Sequence, residues 1–235
     1  MTTRLKVWLI FLSMLLGRVV HSQNADQTFQ KIADRLAQRE GQAVSEAGNS
    51  GDLRFLPVLR RLFIENSENN GDFTIRLYIA MARLGDQEIL QGLACGVEVG
   101  RPILEEHLLS RVLPQVGAVA LSIYERVLTE DHYKGWILRN NKYRGDVAED
   151  TGPATPAVIV IMQLPKLFKD PPRTYDRSPG RIWESEAAFW REWLAKLPSE
   201  AKSPPKIQIN FKECVEPRMQ VHLRRLERAT IFRVE

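Results

Sequence analysis

Gly51-Asp52-Leu53-Arg54-Phe55-Leu56-Pro57-Val58-Leu59 and Gly85-Asp86-Gln87-Glu88-Ile89-Leu90-Gln91-Gly92-Leu93 are the two stretches whose reading decides the fold. Each opens on a Gly-Asp step, the two steps lie 34 residues apart, and apolar residues follow four, five and eight places after the glycine. A third glycine, Gly117, keeps part of that phase through Leu121 and Leu128. Asp52 and Asp86 are suited to cap helices, because a carboxylate accepts hydrogen bonds from unpaired first-turn N–H groups and lies at the positive end of the helix dipole. Between them, Gly71-Asp72 precedes a second helical pattern from Phe73 to Leu84. The unit is helix, loop, helix. Neither helix can bury its apolar stripe alone, so the pattern predicts stacked units with a long accessible face.

Ala80-Met81-Ala82-Arg83-Leu84-Gly85-Asp86, leading into Glu88-Ile89-Leu90, resembles the short bacterial HEAT-like repeat, and Val112-Leu113-Pro114-Gln115-Val116-Gly117 is similar to the same junction with Ala118 in place of the aspartate. The likeness spans residues 51–128, about a third of the chain, with a period shorter than the ~40–47 residues usual for HEAT repeats and a degenerate third copy. It implies a mainly α fold, an α-solenoid of HEAT-like helix pairs, and a non-catalytic scaffold that binds another protein; the carboxyl-terminal residues, read by their own pattern, add a small α+β segment.

The amino terminus carries its own signal. Arg4 and Lys6, the eleven-residue apolar run Val7 to Gly17, and Val20-His21-Ser22 have the order of a secretory signal peptide over residues 1–22. Eleven residues fall short of the ~20 that cross a bilayer, so no transmembrane span is expected after its removal. The expectation is an exported protein, periplasmic or extracellular, with a bacterial envelope favoured. Without residues 1–22 the chain holds 30 basic and 29 acidic residues, with net −4 over residues 23–135 and net +5 over 136–235. That balance argues for two unlike parts and against a general nucleic-acid surface.

Further along, Asp26 to Ala47 reads as one amino-terminal helix closing the repeat array. Residues 129–156 form the least patterned stretch and read as an irregular connection. Residues 157–200 read as a helical, Trp-rich continuation: Ala157 to Phe168 as a buried helix, and Glu184 to Leu197 as a helix whose Trp190, Trp193 and Leu194 seal the apolar stack. After a linker at Ala201 to Pro205, alternation at Ile207, Ile209 and Phe211 and again over Thr230 to Val234 suggests strands around a basic helix from Arg218 to Arg228.

No nucleotide-binding loop, zinc-protease motif, nucleophile elbow or Cys-x-x-Cys is present. The best catalytic raw material is Glu105, Glu106 and His107 on one helix with Asp131 and His132 beyond; such groups, brought together, can hold a metal or move protons. Adjacent glutamates more often make a solvated face. No cofactor is expected. Cys95 and Cys214 either pair, as an oxidising compartment permits, or lie as separate buried thiols. Arg218, Arg224, Arg225, Arg228 and Arg233 offer either the wet side of an amphipathic helix or a surface for an acidic or anionic partner. A second functional reading stands beside the scaffold: an envelope enzyme or ligand-binding protein with a pocket between the repeat array and the Trp-rich half.

Overall fold

The structure, a computed structural model, describes residues 24–66, 71–144, 156–173, 183–197 and 209–231. Residues 1–22, read as a signal peptide, the linker at 201–205, Ile207 of the first expected strand, and residues 232–234 of the second, Arg233 among them, lie outside the described residues. Every regular element among them is helical: α1 (24–37), α2 (Gly41–Asn49), α3 (Phe55–Glu65), α4 (Gly71–Arg83), α5 (Gln87–Val99), α6 (Pro102–His107), α7 (Leu113–Val116), α8 (Leu121–Val127), α9 (Glu130–Arg144), α10 (Pro156–Gln163), α11 (Trp183–Lys196) and α12 (Pro217–Ile231). A π-helical turn, Leu108–Val112, joins α6 to α7. It falls just ahead of Pro114, which has no N–H to return to Ser110, so the widened turn has a local cause.

The repeat glycines do what the sequence asks of them. Gly51, Gly85 and Gly117 all sit at positive φ, at 68°, 81° and 80°. A Cβ added at any of the three meets nothing within 4 Å, so the left-handed backbone and not crowding is what requires glycine there. Asp86 caps α5 as expected, its carboxylate accepting from the N–H groups of Glu88 and Ile89. Asp52 behaves differently. It accepts from Arg54 N–H and closes a single turn, and α3 proper starts at Phe55 without a side-chain cap.

The helices that precede the glycines pack side by side, α2 on α4 and α4 on α7, and α5, which follows Gly85, packs on α8, which follows Gly117. Gly48 lets α2 approach closely, since a Cβ there would lie 2.6 Å from the Ala80 Cα. One side chain ties the three junctions together. The Arg83 guanidinium donates to the side-chain oxygen of Asn49 and, at 2.6 Å, to the carbonyl of Gln115. Asn49, Arg83 and Gln115 each stand two residues before one of the three positive-φ glycines, and Arg83 joins them in one ladder.

Four expectations are corrected. The helix read over Asp26 to Ala47 is two, broken at Arg39, whose φ is 58°; Arg35 bonds both Glu40 and Glu46 across the break. The irregular stretch 129–156 contains α9, a polar helix held by His132 and Trp136, one turn apart and both buried. The run Ala157 to Phe168 is helical only to Gln163 and then tightens into a 3₁₀ turn over Leu164–Leu167, at Pro165. No strand occurs among the described residues of the carboxyl-terminal segment: Phe211–Val215 is a 3₁₀ turn, and Thr230 lies inside α12, its hydroxyl donating to the Leu226 carbonyl. No helix of the described residues is long and apolar enough to cross a membrane.

One apolar core runs from Ile32 through the repeat helices to Ile161, Trp190 and Leu226. The Trp-rich helix α11 packs on α10. Phe168 meets Trp193 edge-on at 4.8 Å between ring centroids, and Trp193 meets Trp190 edge-on at 5.4 Å, an aromatic seal at that end. The carboxyl-terminal helix α12 turns back and lies across α4, α5 and α6.

Candidate functional site

The sequence-predicted residues part company. Glu105 and His132 meet, while Glu106 and Asp131 face solvent and His107 is half-buried. His132 is 1% exposed and Glu105 fully buried. The imidazole sits between two carboxylates, Nε2 to Glu105 Oε1 at 2.8 Å and Nδ1 to Glu98 Oε2 at 3.0 Å. Arg126 grips Glu98 on both oxygens, at 2.6 and 3.1 Å, and stacks over the Phe211 ring. Carboxylates only accept, so both ring nitrogens must donate and the imidazolium is the form that fits. Burial works against that charge, yet the bonds to Glu105 and Glu98 outweigh it and hold the His132 pKa above its ordinary value. Burial also opposes ionisation of Glu98, but His132 and Arg126 hold its carboxyl down to about 2. With both nitrogens committed inside the core, this cluster locks α5, α6 and α9 together and has no free proton donor or acceptor on the ring to offer a substrate. No group of three or more His, Cys, Asp or Glu side chains among the described residues is arranged to hold a metal ion.

An open groove lies elsewhere, against the Glu88–Ile89 end of α5. Cys95 and Cys214 are joined as a disulfide across 119 residues, with Cα atoms 5.1 Å apart, and both are fully buried with Met219. Beside the bond, Gln91 clamps the approach to α12 by donating to the Asn210 carbonyl at 2.8 Å and accepting from its N–H at 2.9 Å. These two ties fix α12 against α5, and between α12, α3 and α5 they leave a groove of about 330 Å3. Phe63, Ile64, Met81, Ile89 and Val221 supply its apolar lining.

A hydrogen-bonded row forms the groove's floor. His222 Nδ1 lies 2.9 Å from the Tyr78 hydroxyl and Nε2 3.3 Å from Glu88 Oε1. The carboxylate can only accept, so Nε2 carries the proton and Nδ1 accepts from the Tyr78 O–H. Burial pulls the His222 pKa below its ordinary value against the opposing pull of Glu88, and burial pushes the Tyr78 phenol well up. Gly92 is what lets the imidazole lie there, since a Cβ would come within 3.0–3.1 Å of three ring and side-chain atoms. The sequence reading passed over His222, although it shares the 219, 223, 226 face of the basic helix and so was marked for burial by spacing alone.

Of the five arginines named from sequence, the four among the described residues separate in the same way. Arg218 is tied down, to Glu216 at 2.9 Å and to Glu213. Arg60, on the opposite lip, bonds Asp86 at 2.6 Å. Among the described residues no carboxylate pairs with Arg224, Arg225 or Arg228, and these fall with Val221 at helical spacing along the side of α12 away from the core. Arg225 lies over the Phe63 ring at 4.6 Å, which holds its guanidinium at the groove. This groove lies against α12, and no tryptophan is among its lining residues; Trp190 packs in the core.

No protein-family model, no curated protein and no solved structure matches this chain.

Proposed function

We propose that this is an exported, HEAT-like α-solenoid that binds another protein and acts as a scaffold in the cell envelope or outside the cell, without chemistry of its own. The observation that carries the binding role is the groove beside α12, where exposed apolar side chains and arginines lacking acidic partners stand together: Ile64 is 67% and Val221 46% exposed. Exposed apolar surface of this kind, rimmed by charge, marks interaction sites more often than it marks anything else on a soluble protein. The ladder Asn49–Arg83–Gln115 supports the repeat architecture, because stacked copies place equivalent residues side by side. Two features support export: the signal-like order of residues 1–22, and a disulfide, which persists in oxidising compartments.

The test is affinity capture from extracts of the cells that make the protein, with residues 23–235 as bait and Arg224→Glu, Arg225→Glu, Arg228→Glu as a triple-variant control. One protein retained by the bait and lost with the variant is the expected result. Retention of nothing specific, together with a melting temperature raised by a metal ion or small ligand, would replace the scaffold with a ligand-binding protein.

A further inference from the structure

We propose that the groove between α3, α5 and α12 receives an acidic, amphipathic segment of the partner protein. A large apolar side chain enters between Ile64 and Val221, and neighbouring carboxylates meet Arg225 and, along α12, Arg224 and Arg228. The inference rests on the binding role above and names the chemistry of the partner.

Size and lining come first. A volume of about 330 Å3 is at the lower end of the ~300–1,000 Å3 of ligand pockets, room for one or two anchoring side chains and not for a folded domain. Phe63, Ile64, Met81, Ile89 and Val221 give such an anchor an apolar bed, as when a segment lays its apolar face in a groove. Charge then selects the flanks. Arg60 and Arg218 are neutralised locally by Asp86 and by Glu213 and Glu216, so they shape the lips without asking for a partner. Arg225 is different: it is positioned by Phe63 and forms no ion pair with a carboxylate of the described residues. A carboxylate arriving there gains a charge-assisted bond to a guanidinium already held in place, which limits the entropy lost on binding.

The same charges argue against two other occupants. A two-fold contact with a second copy through this patch would bring two sets of Arg224, Arg225 and Arg228 into one interface, a concentration of like charge. A nucleic-acid phosphate chain needs a run of available cations, whereas two of the three arginines lining the groove, Arg60 and Arg218, are already paired with carboxylates.

Selection of a displayed random peptide library on the full mature chain tests the inference, with enriched peptides then labelled and titrated by fluorescence anisotropy. Enriched sequences are expected to set Asp or Glu beside Leu, Phe or Trp. Their affinity should fall about tenfold or more with Arg225→Glu and separately with Val221→Asp, stay within about twofold with Leu138→Asp on α9, and weaken as salt is raised from about 50 to 500 mM. Two independent groove variants guard against misfolding, and unchanged circular dichroism qualifies each. Basic or neutral consensus peptides, or affinities untouched by both groove variants, overturn the proposal, as does failure to enrich any peptide. Phosphatidylglycerol vesicles form the remaining arm: vesicle binding that depends on Arg225 without any peptide binding would replace the protein segment by a lipid surface. A native partner captured by the bait but insensitive to Arg225→Glu and Val221→Asp sinks the groove and leaves the scaffold standing, whereas the scaffold itself fails only if nothing is captured.

Discussion

Breaking the Cys95–Cys214 bond should destabilise the whole chain and not only its tail. The bond closes a loop of 119 residues. On the chain-entropy relation a loop of that length is worth about 5 kcal/mol at room temperature, and measured losses for native disulfides run at about 2–5 kcal/mol. The expected loss here is toward the middle of that range, because the Gln91 clamp on Asn210 and the Gln220 bond to the Cys214 carbonyl survive reduction and keep α12 near α5. At roughly 2–4 °C per kcal/mol for a chain of this size, the melting temperature should fall on the order of 5–15 °C. The assay is calorimetric melting of the wild type with and without a phosphine reductant, beside a Cys95→Ala, Cys214→Ala double variant. Reduced wild type and double variant should agree, and the unreduced wild type should show no titratable thiol. Two free thiols in protein purified from its native source, or a double variant melting within about 2 °C of the oxidised wild type, would refute the reasoning.

Other outcomes follow from the same geometry. Gly85→Ala should cost on the order of 1–2 kcal/mol in chemical denaturation, entirely from the left-handed backbone, because the space around it is open. Asp86→Ala removes both the α5 cap and the partner of Arg60, for a loss of about 1–2 kcal/mol by the same measurement. The two buried histidines should give opposite pH signatures in melting temperature. His132, with its pKa raised, contributes stability fully below about 6.5 that is lost as pH rises through its folded value, so His132→Gln should flatten the alkaline fall; His222, with its pKa lowered, contributes stability present above about 6.5 that is lost as pH drops, so His222→Gln should flatten the acid fall in that range. Mass spectrometry of native protein should find the chain beginning at Gln23, as cleavage after Ser22 requires; an intact Met1 would remove the case for export.

Local physics was legible in the sequence. The repeat glycines and the Asp86 cap act through their own backbone and the next three residues, and the pattern at 51–59 and 85–93 displayed both. The α12 helix was legible from Met219, Leu223 and Leu226. What could not be read depended on distant partners. Among the described side chains of α9 only His132 and Trp136 are buried, too few to display an apolar stripe, and His132 is satisfied by Glu98 and Glu105 from two other helices. The break at Arg39 falls between Leu36 and Ala43, seven residues apart and both buried, so the apolar phase reads straight through it. Alternation at Ile209 and Phe211 suggested a strand, but the backbone of Asn210 pairs with the Gln91 side chain and its carboxamide caps a 3₁₀ turn. His132 meeting Glu105 was foreseen as a condition for chemistry. The structure supplies the meeting and buries it, while the site left open is lined by residues that look individually ordinary.

Site-resolved photo-crosslinking in the cells that make the protein tests the central claim most directly, with a benzophenone amino acid placed at Val221 in the groove and, as a control, at Leu138 on α9, both of them exposed. A discrete crosslinked protein from position 221, absent from position 138 and abolished by Arg225→Glu, is the result this account predicts. Crosslinking of the same protein from both positions, or from 138 alone, would contradict it.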